Sequence, residues 1–127
     1  MGNARMNLGK LGEEIAGEYL ADLGHTIVER NWRSGHYEID LITVDPEGLH
    51  FVEVKSRVAP VSASPEENVD FRKQQKLVRA ANLFLHSDSK KGRIGDMEIF
   101  FDVISVIFEG ERTEITFFPK AYVPIYC

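Results

Sequence analysis

The sequence predicts one α/β domain, a mixed β-sheet flanked by α-helices in the order α-β-β-β-α-β-β. Three observations carry this. A chain of 127 residues and 14.4 kDa suffices for one domain with its own core and falls short of two. Its composition, 43% hydrophobic and 28% charged, is that of a globular protein rather than a disordered or collagenous one. Two segments repeat apolar residues at helical spacing, whereas five short ones are rich in β-branched and aromatic residues and bounded by turn signals. Residues 1–127 are therefore read as a single domain, with 1–7 and 119–127 as flexible or irregular tails.

The first helix is expected over Leu8 to Leu23, where Leu8, Leu11, Ile15, Tyr19 and Leu23 recur at spacings of three and four. Asn7 is its candidate cap and Gly24 its stop. A first strand follows from His25 to Trp32, then a Ser34-Gly35 turn, then a second strand from Glu38 to Val44. Asp45-Pro46-Glu47-Gly48 is a strong turn, because proline pre-sets its second position and glycine tolerates its last. Leu49 to Arg57 is the third strand, and 58–65 a loop. Ser64-Pro65-Glu66-Glu67 opens a second helix, with proline in the first turn and acids at the positive end of the dipole. It runs to about His86 and buries Val69, Leu77, Ala80, Ala81 and Phe84. A last hairpin joins Glu98–Phe108 to Glu111–Phe118 around Glu109-Gly110. An order of helix, strands, helix and strands is that of one mixed sheet with helices on its faces.

Composition excludes several classes of protein. No apolar run approaches the ~20 residues that span a bilayer, and no signal-peptide core opens the chain. The one cysteine, Cys127, leaves no internal disulfide and no multi-cysteine zinc site. A reduced, cytoplasmic protein with no membrane partner is expected. The net charge of −5 is unlike the basic footprint of a nucleic-acid binder. The charge is unevenly spread, however: residues 54–93 hold nine bases against four acids, which suits a local phosphate contact or a solvated helix face equally. The histidines at 25, 36, 50 and 86 show no metal-binding spacing, though His36 flanks the site proposed next.

Candidate chemistry is concentrated in the middle hairpin. If Asp45 pairs with Gly48 across a two-residue turn, Asp40 lies opposite Glu53 and Glu38 opposite Lys55. All four then share one face with cross-strand Cβ separations of roughly 4.5–5.5 Å. A glycine-bulge turn would pair Asp45 with Leu49 and send Asp40 and Glu53 to opposite faces. Paired carboxylates repel unless a cation lies between them, and hard oxygen donors select Mg²⁺ or Mn²⁺. The bland alternative is an exposed ion pair on a polar sheet face. Against it stands the apolar setting of Ile39-Asp40-Leu41-Ile42 and Phe51-Val52-Glu53-Val54-Lys55, where charges are costly unless paired or metal-bound.

The pattern Asp40-x₁₂-Glu53-Val54-Lys55 resembles the PD-(D/E)xK signature of restriction enzymes and archaeal Holliday junction resolvases. Over most of its length the chain is similar to the YraN family of small bacterial proteins. The matching stretches include Gly9-x-x-Gly12-Glu13-x-x-Ala16-x-x-Tyr19-Leu20, Arg30-Asn31-Trp32-Arg33, Glu38-Ile39-Asp40-Leu41-Ile42, Phe51-Val52-Glu53-Val54-Lys55-x-Arg57, Lys73-Gln74 and Phe101-Asp102-Val103-Ile104. Tyr37 and Phe100 depart from that family's usual glycine and arginine.

The resemblance implies a restriction endonuclease-like fold and a nuclease site. In that reading Asp40, Glu53 and the Val54 carbonyl bind Mg²⁺ or Mn²⁺, and Lys55 orients or deprotonates the attacking water. Glu13 resembles the extra acid of the resolvase branch, which holds a second metal or its water, and Glu38 holds Lys55. Arg33, Arg57, Arg72, Lys73, Gln74 and Lys76 are candidate DNA contacts. Asn31 and Trp32 suit a substrate groove, although Trp32 suits the core better. Asp102 is a buried polar residue with Arg57 as a candidate partner. By analogy with resolvases a homodimer is expected. The reaction expected is metal-dependent hydrolysis of DNA, including branched DNA. The competing readings are a non-catalytic nucleic-acid-binding or interaction module on a nuclease scaffold, and a purely structural ion-pair network.

Overall fold

The computed structural model describes residues 4–60, 71–87 and 97–122. Its elements follow the expected order: α1 (Ala4–Asp22), β1 (Thr26–Ser34), β2 (Tyr37–Asp45), β3 (Gly48–Val58), α2 (Phe71–Leu85), β4 (Ile99–Glu109) and β5 (Arg112–Tyr122). The five strands form one mixed sheet in the order β1-β2-β3-β4-β5. β1, β2 and β3 pair antiparallel, as do β4 and β5. The central pair β3 and β4 is parallel, from Leu49↔Ile99 to Val58↔Phe108. A parallel pair needs a crossover, and the chain segment that holds α2 supplies it.

Two apolar clusters sandwich the sheet. One joins Leu77, Ala80, Ala81 and Phe84 of α2 to Ile39, Ile42, Leu49, Phe51 and Phe101. The other joins Ala16 and Leu20 of α1 to Leu41, Val52, Ile104 and Val106. Neighbouring residues such as Phe51 and Val52 divide between them, as alternation along a strand requires. Trp32 meets Phe84 edge to face at 5.4 Å and belongs to the core.

The buried face of α1 differs from the expected stripe. Leu11 and Leu23 are 45% and 53% exposed, while Ala16 and Leu20 are fully buried. The helix seats itself by small residues: a Cβ at Gly12 would meet Ser56 Cβ at 3.0 Å and overlap its hydroxyl. α1 also begins at Ala4, so Asn7 lies inside it rather than at its cap, and 4–7 are not a tail. Its end follows the expectation. Gly24, at φ +106°, donates to the Ala21 carbonyl (3.0 Å), and His25 N–H donates to Leu20 (2.9 Å), the paired bonds of a Schellman turn.

Other boundaries also shift. The β1–β2 turn is Gly35-His36, one residue later than expected, because Ser34 pairs with Tyr37. β5 runs through Pro119 to Tyr122, where an irregular tail was expected. β5 is an edge strand, so a residue without an N–H is tolerated there. Ser64 to Asp70, including the expected helix start and Val69, lies outside the described residues, as does 123–127.

Candidate functional site: a carboxylate cavity between sheet and helix

The β2–β3 hairpin adopts the two-residue turn. Asp45 Oδ1 accepts the Glu47 and Gly48 N–H groups at 2.9 and 3.2 Å, and the ladder runs from Asp45↔Gly48 to Leu41↔Val52. The bulged alternative is excluded. One residue beyond the ladder, Asp40 Oδ2 accepts the Val54 N–H at 2.9 Å. A side chain thus replaces a backbone carbonyl, and the two strands part around it. Asn31, opposite Asp40 on β1 by the flanking pairs Arg30↔Leu41 and Trp32↔Ile39, has φ +50°.

The parting strands open a cavity of about 260 Å³ lined by Glu38, Asp40 and Glu53 from the sheet and Lys73, Lys76 and Leu77 from α2. Asp40 and Glu53 are therefore on one face, as the two-residue-turn register requires. Lys55 is buried beside Glu53, Nζ to Oε2 3.8 Å. Glu38 does not pair with Lys55 as expected. It meets exposed Arg33 of β1 at 3.3 Å, because the β1–β2 ladder places Arg33 directly across from it. Glu13 lines a separate cavity with Lys10, Glu14, Arg30, Asn31 and Leu41.

Charge is strongly frustrated here. Burial, reinforced by the Glu13, Glu53 and Glu38 carboxylates, pushes Asp40 up to about 7 even though the Val54 N–H opposes the shift. Burial likewise raises Glu13; its hydrogen bond with Asn31 opposes this and the Glu38 charge adds to it. Burial pushes the Lys55 ammonium below its usual range; Glu53 opposes this, and Lys73 and Arg57 reinforce it. Glu13 thus acts on Asp40 through its field, although the two line different cavities.

The model of the uncharacterised protein family UPF0102 matches residues 12–106. The chain belongs to UPF0102, the YraN family. It is similar to a UPF0102 protein of Bacteroides thetaiotaomicron, 40% identical over 117 residues that cover 92% of this chain and 93% of that one. A UPF0102 protein of Desulforamulus reducens is 45% identical over 114 residues, covering 87% and 91%. Among solved structures it is similar to Pyrococcus furiosus SfsA in complex with Ca²⁺, at 16% identity and a TM-score of 0.36, covering 91% of this chain and 63% of that one.

Within this UPF0102 chain the expected site residues divide clearly. Asp40, Glu53, Glu38, Lys73 and Lys76 share the cavity, Lys55 and Arg57 adjoin it through Glu53 and Lys55, and Val54 contributes its N–H to Asp40. Gln74 is half-buried on α2, and Arg72 is exposed there. Asp102 is buried as expected, and its partners are His50 Nδ1 (2.7 Å) and the Lys120 N–H (2.8 Å) rather than the candidate Arg57. The parallel β3–β4 register sets Val52 beside Asp102 and leaves Arg57 five residues further along, beside Ile107. His25 and His50, dismissed on spacing, meet at Asp45. Their sequence separation conceals this, and only the strand pairing could have revealed it.

Proposed function

We propose that the cavity is the active centre of a metal-dependent nuclease that hydrolyses phosphodiester bonds in DNA, including branched or otherwise structured DNA, in the cytoplasm. One observation carries the reading. Glu38, Asp40 and Glu53 line one cavity between the sheet and α2, and burial among these carboxylates pushes Asp40 up to about 7, a cluster that a divalent cation would relieve. Its all-oxygen donors fit Mg²⁺ or Mn²⁺ rather than a softer ion.

Asp40 and Glu53 would hold the ion, which when bound polarises a phosphate and acidifies a water. The chain's own residues supply the rest. The Val54 N–H fixes the Asp40 carboxylate, leaving its other oxygen for the cavity. Lys55, buried and depressed from its usual range, is suited to orient the attacking water and accept its proton. Lys73 and Lys76 face the acids across the cavity and would take the phosphate, whose charge their ammonium groups complement. DNA is the proposed partner, and a symmetric pair of chains the proposed assembly on two-stranded substrates.

The test is a cleavage panel of junction, flap, single-stranded and duplex DNA with and without Mg²⁺ or Mn²⁺. Metal-dependent cleavage by the wild type, abolished in Asp40→Asn and in Glu53→Gln, is expected. Binding of DNA with no metal-dependent cleavage would overturn the hydrolase in favour of a binding module on the same scaffold.

A further inference from the structure

At the other end of the same hairpin lies a second constellation that the nuclease reading does not use. His25 follows the Schellman turn that ends α1, Asp45 closes β2, and His50 stands on β3. Asp45 is five residues from Asp40, roughly 16 Å along an extended strand. The pairings Thr26↔Val44 and Asp45↔Gly48 gather the three at one edge of the turn.

Their orientation is specific. His50 Nε2 lies 2.8 Å from Asp45 Oδ1, and His25 Nε2 lies 3.5 Å from Asp45 Oδ2. One donor atom from each residue falls within 4.8 Å of the others. Both rings present Nε2 to the carboxylate because each Nδ1 is engaged behind. His25 Nδ1 meets Thr43 Oγ1 at 2.7 Å, and His50 Nδ1 donates to Asp102 Oδ2 at 2.7 Å. Asp102 is itself fully buried and anchored by the Lys120 N–H. A carboxylate behind a histidine fixes the tautomer that leaves Nε2 free to ligate and makes it more basic. The rings are buried, 8% and 3% exposed, with Phe100 stacked on His50 at 5.0 Å and Phe117 edge-on to His25 at 6.3 Å.

We infer that His25, Asp45 and His50 form a second metal site, for Zn²⁺ or a similar borderline transition ion. Two imidazole nitrogens and one carboxylate oxygen are zinc donors, and unlike the all-oxygen cavity they disfavour Mg²⁺. Ligands ~2.0–2.1 Å from a tetrahedral ion stand ~3.3 Å apart, so the 2.8 Å His50–Asp45 contact must widen while donors up to 4.8 Å apart draw together, and the ion displaces the proton between His50 and Asp45. Three protein ligands leave a fourth position for water. The bound ion would tie the end of α1 to the β2–β3 turn and, through Asp102, to β4.

Metal-stripped full-length protein titrated calorimetrically with Zn²⁺, and separately followed in the visible spectrum with Co²⁺, tests this. One Zn²⁺ per chain is expected, with visible bands of tetrahedral Co²⁺ that Zn²⁺ abolishes. His25→Gln and Asp45→Asn should each weaken binding at least ~10-fold, and Asp102→Asn, which acts through His50, by ~10–100-fold. Circular dichroism confirms that each variant is folded. The Asp40→Asn, Glu53→Gln double variant should bind Zn²⁺ as the wild type does, which separates this site from the nuclease cavity. Absence of saturable Zn²⁺ binding by the wild type overturns the inference, as does affinity unchanged in folded His25→Gln and Asp45→Asn or lost in the double variant.

Discussion

Asp40 shows how much a single carboxylate can cost a fold. Its folded value of about 7 lies above the ordinary 3.8, so the folded state holds a proton that the unfolded chain has lost. The cost is absent below about pH 4, grows as pH rises, and is complete above about pH 7. Asp40→Asn should therefore stabilise the metal-free protein by roughly 2–4 kcal/mol at pH 8 and by much less at pH 4.5, as read by urea unfolding at both pH values. Mg²⁺ should raise the midpoint of the wild type at pH 8 and leave that of the variant unchanged. Lys55 supports a different expectation. Lys55→Met, of similar length and without the amine, should lower cleavage by about 10²–10⁴-fold while the chain still binds Mg²⁺, measured by single-turnover cleavage and calorimetry on one preparation.

At the scale of elements, the hairpin register depends on Gly48. Its φ of +153° is beyond the usual range of other residues, and a Cβ there would lie 2.3 Å from the Glu98 carbonyl oxygen. The same carbonyl accepts the Leu49 N–H at 2.8 Å, so it has no freedom to retreat. Gly48→Ala should cost at least ~2 kcal/mol in denaturant unfolding, and cleavage should fall with it because this turn brings Asp40 and Glu53 to one face. The α1–sheet contact is set in the same way by Gly12, where a methyl group must push Ser56 aside. The helical stripe read from large apolar residues reached this face only at its margin, through Ile15 and Tyr19, because a helix seated closely on a sheet selects small residues at the contact.

For the molecule as a whole, a net charge of −5 confines any DNA contact to a local basic face. Lys73 and Lys76 sit on that face beside the acidic cavity. If each neutralises one phosphate, Lys73→Gln with Lys76→Gln should reduce the slope of log affinity against log salt by about 1.8 on duplex DNA, measured by fluorescence anisotropy in Ca²⁺ to suppress turnover. An unchanged slope would place the phosphate contacts elsewhere.

Local chemistry was legible in the chain. The Asp45-Pro46-Glu47-Gly48 segment was legible as a turn, because proline and glycine act locally. Its four residues allowed two registers, however, and the one that brings Asp40 and Glu53 to one face was decided by pairing across the sheet. Both helices and all five strands were legible for a similar reason, since periodicity and turn residues act over short separations. The strand order, the parallel pairing of β3 with β4, the true partners of Asp102 and the meeting of His25 with His50 were decided only in three dimensions. Each depends on contacts between segments far apart in sequence, whose energies come from burial and pairing across the sheet and leave no mark in local spacing.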